Sequence, residues 1–365
     1  MMAPQSVIWK LDDHTRAKHI ILRKYLDAWL PILIREGRSG LLIDGFAGPG
    51  EYVGGEIGSP LLMINAYQLH RAESLRRGRV KFLFVELDPR RAAHLRQKLQ
   101  AHLQRQPLPA TATYEVYTGR FVDAMTNLLA GGCRHYDAMF VFIDPFGFSH
   151  APMDVIRNLM GCPRCEVLIT FMYQEINRFL EAVYRTKRQH YDALFGTPAW
   201  QMLLLDAPDV QTRQRRLHDL YRQQLLTVAG ARYVRSFCMR DRKNTTDYFL
   251  FFATKHRRGM QEMKRAMWKV DPTGNFVFSD CTGLEQGFLL QNDDPEILAT
   301  LLYEHFRGHQ VTIDEIEEFV MADTPFFKYK SSLKLLEDRQ QIVVCGEEGR
   351  RKGTYKDPTL LIYFR

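Results

Sequence analysis

Five short, mostly apolar runs set the rhythm of the first half of the chain, at residues 41–43, 80–85, 114–117, 138–143 and 166–171. Each is closed by an acidic or glycine-bearing turn. The run at 138–143 has no polar residue on either face, which predicts a central strand buried on both sides. Between the runs, apolar residues return at helical spacing, as in 60–70 and 89–106. Strand and helix in alternation predict an α/β, doubly wound, mostly parallel sheet. Residues 14–36 precede it as one or two amphipathic helices, with Ile20, Ile21, Tyr25, Ala28, Trp29 and Ile32 in register and Pro31 set to kink or restart the helix. Past the fifth run, residues 177–227 read as largely helical. Runs at 233–238 and 247–254 then form a hairpin around a basic tip, closing a seven-stranded sheet.

The tail has a different rhythm. Helical patterns at 295–306, 313–321 and 328–338 are followed by strands at 341–344 and 360–364 around the basic turn Arg350, Arg351, Lys352, Gly353. Three helices and a β-wing predict a winged helix. The expected domains are a helical cap (1–36), an α/β domain (37–270) with a basic helical insertion at about 177–229, a glycine-bearing linker (271–294) and the winged helix (295–365).

Candidate chemistry gathers where the strands end. The first strand delivers Asp44, Gly45, Phe46, Ala47, Gly48, Pro49 and Gly50. A glycine-rich bend between strand and helix lets backbone N–H groups approach a ligand closely. The spelling is not GxGxxG, so this is no dinucleotide fingerprint. A second glycine-rich loop follows, with Ser59 placed to cap the next helix. The second strand ends in Glu86, Leu87 and Asp88; an acidic residue there binds ribose hydroxyls in doubly wound folds, and the competing reading is a helix cap. After the third strand come Arg120, Phe121 and Asp123, the candidates at this turn for contact with an adenine ring if the sheet resembles those of methyltransferases. The fourth strand delivers Asp144, Pro145, Phe146, Gly147 and Phe148. Its carboxylate and the Pro145 carbonyl can each accept an N–H of a planar amine, while Phe146 or Phe148 stacks on it. The competing reading is a turn before a helix. His14, Thr15 and Lys18 read as exposed polar positions of the cap. Cys162 and Cys165 make a CxxC without the second pair a zinc site needs, so no metal is expected.

Composition narrows the setting. Hydrophobic residues make up 45% and charged ones 25% of the chain, and no apolar run approaches the roughly 20 residues of a membrane span. No secretion signal is visible at the N-terminus, and six scattered cysteines predict reduced thiols in a cytoplasm. The net charge of +8 is uneven: residues 178–269 hold 19 Lys/Arg against 8 Asp/Glu, and 295–365 hold 10 against 12. A basic centre fits a polyanion, RNA before DNA, with Arg185, Lys187, Arg188, Arg240, Arg242 and Lys243 as candidate contacts, joined by Lys328, Lys330 and Lys334 on the third helix of the tail. Solvated helix faces account for the same charges.

The loop D-x-F-x-G-x-G resembles the S-adenosylmethionine loop of class I methyltransferases. The whole chain resembles the three-Cys-motif partner proteins (TcmP), a methyltransferase-like bacterial family. The matching pieces are HTRAKH, DGFAGPGEYVGGEIGSP, FVELD, FIDPFGF, NTTDYFLFFATKHRRGMQEMKRAMW, TPFFKYKSSLKLLEDRQQIVV and GTYKDP. This resemblance implies S-adenosylmethionine as cofactor and a radical-SAM-like protein with three cysteines as partner. DPFG also looks like the tetrapeptide of tRNA guanine-N2 dimethyltransferases and departs from the DPPY or NPPY of adenine-N6 enzymes. The expected function is methyl transfer to an exocyclic base amine of nucleic acid. Its rival is a non-catalytic accessory protein that binds the three-Cys partner, nucleic acid or both. A metal-dependent hydrolase on Asp44, Glu86 and Asp144 lacks closely spaced carboxylates.

Overall fold

A computed structural model describes residues 6–147, 150–182, 188–205, 207, 209–280, 294–345 and 351–365. Strands β1 (Ser39–Asp44), β2 (Arg79–Glu86), β3 (Ala112–Thr118), β4 (Ala138–Ile143) and β5 (Cys165–Phe171) lie parallel. The hairpin of β6 (Tyr233–Arg240) and β7 (Thr246–Thr254) follows, with β7 antiparallel to β5. Strand β8 (Val277–Ser279) adds itself parallel to β6, giving the order β3-β2-β1-β4-β5-β7-β6-β8. The doubly wound sheet expected from the sequence is present, with an eighth strand where a linker was expected. That strand is three residues long, too short to carry a period of its own.

Alternate residues of β4 show why its run is unbroken. Phe140 and Phe142 enter one core, and Met139, Val141 and Ile143 enter the other. The first core lies under α1 (Asp13–Leu33), α2 (Ser59–Gln68), α3 (Pro89–Arg105) and α10 (Arg257–Trp268). On the opposite face lie α4 (Phe121–Ala130), α5 (Met153–Met160), α6 (Tyr173–Ala182), α7 (Arg188–Phe195), α8 (Trp200–Leu205) and α9 (Val210–Thr227). The helices of segment 177–229 pack directly against the sheet. Tyr191, Trp200, Leu217 and Tyr221 of that segment are buried, and the Tyr221 ring sits 4.5 Å from Phe171 of β5.

Helix α1 is one continuous helix, with Pro31 inside it. Proline cannot donate to the carbonyl four residues back, that of Asp27. The His70 ring takes that place, with Nε2 2.9 Å from the Asp27 oxygen, so the helix needs no restart. Gly58, not Ser59, holds the cap position of α2.

The tail carries α11 (Pro295–Phe306), β9 (Gln310–Thr312), α12 (Ile313–Asp323), α13 (Lys330–Asp338), β10 (Ile342–Cys345) and β11 (Leu361–Phe364), the strands forming an antiparallel sheet in the order β10-β11-β9. The three expected helices and two expected strands are in place, and β9 is additional. The tail shares the first core rather than hanging from it. Lys264 of α10 is fully buried and donates to the carbonyls of Val320, Thr324 and Phe326 at 2.7, 2.7 and 3.0 Å. Arg235 of β6 donates to those of Ala322 and Thr324. Arg257 pairs with Asp314 and Glu318, and Arg232 with Glu318. Four cations of the basic centre are thus engaged with the acidic tail inside the same molecule.

Candidate functional site

Strands β2, β1 and β4 are neighbours, and their C-terminal ends carry Glu86, Asp44 and Asp144. The carboxylates converge on one edge, as the spacing of the runs predicts. The glycine-rich loop is pinned over that edge by its own backbone: Gly45 N–H donates to Phe142 O and Ala47 N–H to Val85 O, both at 2.8 Å. Gly48 and Gly50 have φ of 62° and 85°, which side chains rarely tolerate, and a Cβ on Gly50 would lie 2.7 Å from Leu95.

Each carboxylate has its own setting. Glu86 is buried and accepts the Gly48 N–H on one oxygen and the Asp88 N–H on the other, both at 2.8 Å; burial raises its pKa. Each oxygen keeps a further lone pair for a ligand hydroxyl. Asp88 caps α3 through the Arg90 N–H, so the capping role falls on the neighbour of Glu86. Asp44 is fully buried beneath the loop. Its Oδ1 accepts the Phe46 N–H at 3.1 Å, and the Ser59 side chain stands close enough to the carboxylate to favour its charged form. Burial pushes its carboxyl up to about 7. Asp144 is held from two sides: Lys18 Nζ lies 2.5 Å from Oδ2, and the Thr170 hydroxyl donates to Oδ1 at 2.6 Å.

Two cavities open above these groups. One, of about 780 Å³, is lined by Gly45, Glu86, Asp88, Arg91, Arg120 and Phe121. The other, of about 300 Å³, is lined by Gly48, Gly50, Asp144, Pro145, Lys18 and Asp247. Phe46 and Phe146 line both and form the partition between them. Trp9 stands edge-on to Phe146 at 5.1 Å, and its carbonyl accepts the Val53 N–H. The Arg91 guanidinium lies 5.2 Å from the Trp9 ring.

Most of the sequence-derived site residues therefore meet at one cleft: Gly45, Phe46, Ala47, Gly48, Gly50, Glu86, Asp88, Arg120, Phe121, Asp144, Pro145 and Phe146. Asp44 lines neither cavity and acts from beneath. Phe148, Arg185 and Lys187 lie outside the described residues. Arg188 starts α7 and is exposed, 3.8 Å from Asp192. Arg240 reaches Asn244, and Arg242 and Lys243 are exposed at the hairpin tip, at the same sheet edge as the cleft. Lys328, Lys330 and Lys334 are exposed just before and along α13.

Sequence reasoning missed or misread several cleft residues. Lys18, read as a cap position, is 5% exposed and points at Asp144. Thr170 was visible as the polar residue inside an apolar run. Asp247 and Tyr248 read as an ordinary strand start, and Trp9 carried no role within the 1–36 cap. The thiols also differ from expectation. Cys133 and Cys162 form a disulfide and Cys165 is buried in β5, so CxxC is not a unit. Among the described residues no cluster of His, Cys, Asp or Glu is arranged to hold a metal ion, and no helix is long and apolar enough to cross a membrane.

The strand order 3-2-1-4-5-7-6 with an antiparallel seventh strand is that of the Rossmann-like fold of class I methyltransferases. No family model and no curated protein matches the chain. Solved structures overlay on it loosely. The methyltransferase domain of bacterial CtHen1 is 12% identical over 64% of this chain and 99% of its own, at a TM-score of 0.32. Precorrin-6y C5,15-methyltransferase from Geobacter metallireducens GS-15 is 10% identical over 70% and 93%, at 0.30. A candidate methyltransferase from Porphyromonas gingivalis W83 is 11% identical over 65% of this chain, at 0.29, and this chain spans 41% of it.

Proposed function

We propose that the protein is an S-adenosylmethionine-dependent N-methyltransferase acting on an exocyclic amine of a nucleic-acid base, RNA before DNA. The observation that carries this reading is the pair of cavities meeting at Phe46 and Phe146, one floored by Glu86 and the other by Asp144. A donor seated over Glu86 and reaching past Phe46 to the Gly48–Gly50 loop would meet an acceptor held at Asp144 in the smaller cavity. The residues fit S-adenosylmethionine: Glu86 would hold the ribose, Arg120 and Phe121 the adenine. The Gly48–Gly50 cradle, with Asp44 holding the loop from beneath through the Phe46 N–H, would take the methionyl end. When bound, it supplies an electrophilic methyl group. The chain's own work is positioning. Lys18 and Thr170 fix the Asp144 carboxylate, whose remaining lone pairs, with the Pro145 carbonyl, aim an amine while Phe146 stacks on its ring. A paired base must first leave its stack.

Backbone contacts fall to exposed cations, Arg188 and the hairpin-tip Arg242 and Lys243, with the half-buried Arg240 beside them. The tail, read as a winged helix, adds Lys328, Lys330 and Lys334. The rival reading, an accessory protein for a radical-SAM-like three-Cys partner, draws on Lys18, which occupies one oxygen of Asp144. Calorimetry with S-adenosylmethionine and S-adenosylhomocysteine, then transfer of labelled methyl to bulk RNA, DNA and protein, separates the two. Binding with label in RNA is expected. Binding without transfer to any acceptor favours the accessory role.

A further inference from the structure

We propose that Asp247, His14 and Asp280 form a relay that takes the proton from the acceptor nitrogen once it is methylated. The relay rests on the methyl-transfer reading and adds to it a route that Asp144 does not provide, since Lys18 and Thr170 already hold both Asp144 oxygens.

The three residues come from distant parts of the chain. Asp247 is the second residue of β7, whose pairing with β5 places it beyond the C-terminal end of that strand, beside the cleft. It is 5% exposed and lines the smaller cavity, and its carboxylate makes no hydrogen bond among the described residues. Its Oδ2 faces His14 Nε2 at 3.9 Å. The other ring nitrogen, Nδ1, lies 3.0 Å from Asp280 Oδ2. With the proton on Nδ1 donated to Asp280, Nε2 is left as the lone-pair nitrogen turned toward Asp247. Tyr248 fixes the approach: its hydroxyl donates to the His14 carbonyl at 3.3 Å, and its ring stands edge-on to the imidazole. A buried carboxylate without a donor is costly to keep. Burial raises the pKa of Asp247, which makes it a better proton acceptor than an exposed carboxylate.

The chemistry balances. The C–S bond of the sulfonium breaks with its electron pair left on sulfur, and the amine lone pair forms the C–N bond. The nitrogen, now cationic, gives one proton to Asp247, which passes it through His14 to solvent. A sulfonium donor needs no base to start the step, but the product nitrogen must lose this proton. Lys18 of α1 and Asp241 of the hairpin turn also act on Asp247, and Asp144 after β4 and Tyr52 act on the adjoining Tyr248.

The test has two arms on the full chain. In the ligand-free protein at fixed pH, the NMR shifts of the His14 ring should change in Asp247→Asn, which loses the facing carboxylate; unchanged shifts would overturn the relay. In labelled transfer to bulk RNA, Asp247→Asn and His14→Ala should each fall about 100-fold. Imidazole should partly restore His14→Ala, and S-adenosylhomocysteine affinity should stay at the wild-type value. Wild-type rates in these variants, or a His14→Ala loss that imidazole does not mend, would sink the relay alone. A wild-type protein that binds the cofactor but methylates no acceptor would remove the reading beneath it.

Discussion

Lys264 shows how a single side chain can fasten two parts of a protein. Its three ammonium protons meet three main-chain carbonyls at the end of α12, with no carboxylate involved. Replacing it with Met keeps the stem and orphans the carbonyls, so Lys264→Met is expected to cost about 3 kcal/mol, read as a lower denaturant midpoint. Asp44 behaves in the opposite sense. Its folded pKa, about 7, lies above the ordinary carboxylate value, so the fold favours the protonated form. Its contribution is whole below about pH 4 and is lost as pH rises toward 7, by up to about 1.4 kcal/mol per unit. Asp44→Asn cannot ionise and should flatten this part of the pH–stability profile. A wild type and variant with parallel profiles between pH 4 and 8 would contradict that origin.

At the level of elements, α1 depends on a partner outside itself. The Asp27 carbonyl freed by Pro31 is met by His70, so His70→Ala should destabilise by about 1 kcal/mol. Pro31→Ala in that background should recover most of it by restoring the helical N–H, which a double-mutant cycle measures. The same helix marks where sequence reading stops. Periodicity identified its buried stripe through Ile21, Tyr25 and Trp29, yet could not tell that His14 and Lys18, at its other end, overhang a cleft. The β4 run announced burial on both faces because hydrophobicity alone decides that. Strands β8 and β9 were missed because three residues hold no period, and they form only when a longer neighbour offers its edge. Asp44, Glu86 and Asp144 were readable because each follows an apolar run directly. Asp247 was hidden because it precedes one.

Across the whole molecule, the uneven charge acquires a second meaning. Part of the basic surplus at 178–269 meets the acidic tail, through Arg232, Arg257 and their Asp314 and Glu318 partners. The surplus therefore overstates what a polyanion would meet. Neutralising the hairpin tip with Arg242→Ala and Lys243→Ala should weaken RNA binding and reduce its salt dependence by about two units of log–log slope. Arg257→Ala should lower the unfolding midpoint instead and leave that slope alone.

The anchoring of the tail has a geometric consequence. Trp268 packs between Phe326 and Phe327 and donates to the Pro325 carbonyl, while its own helix, α10, lies against the sheet. On the nucleic-acid reading proposed above, α13 and the mouth above Asp144 would act like the two jaws of a calliper. Any polymer gripped by one would be presented to the other at a set span. The molecule would then select its target by length and bend as well as by the group it modifies.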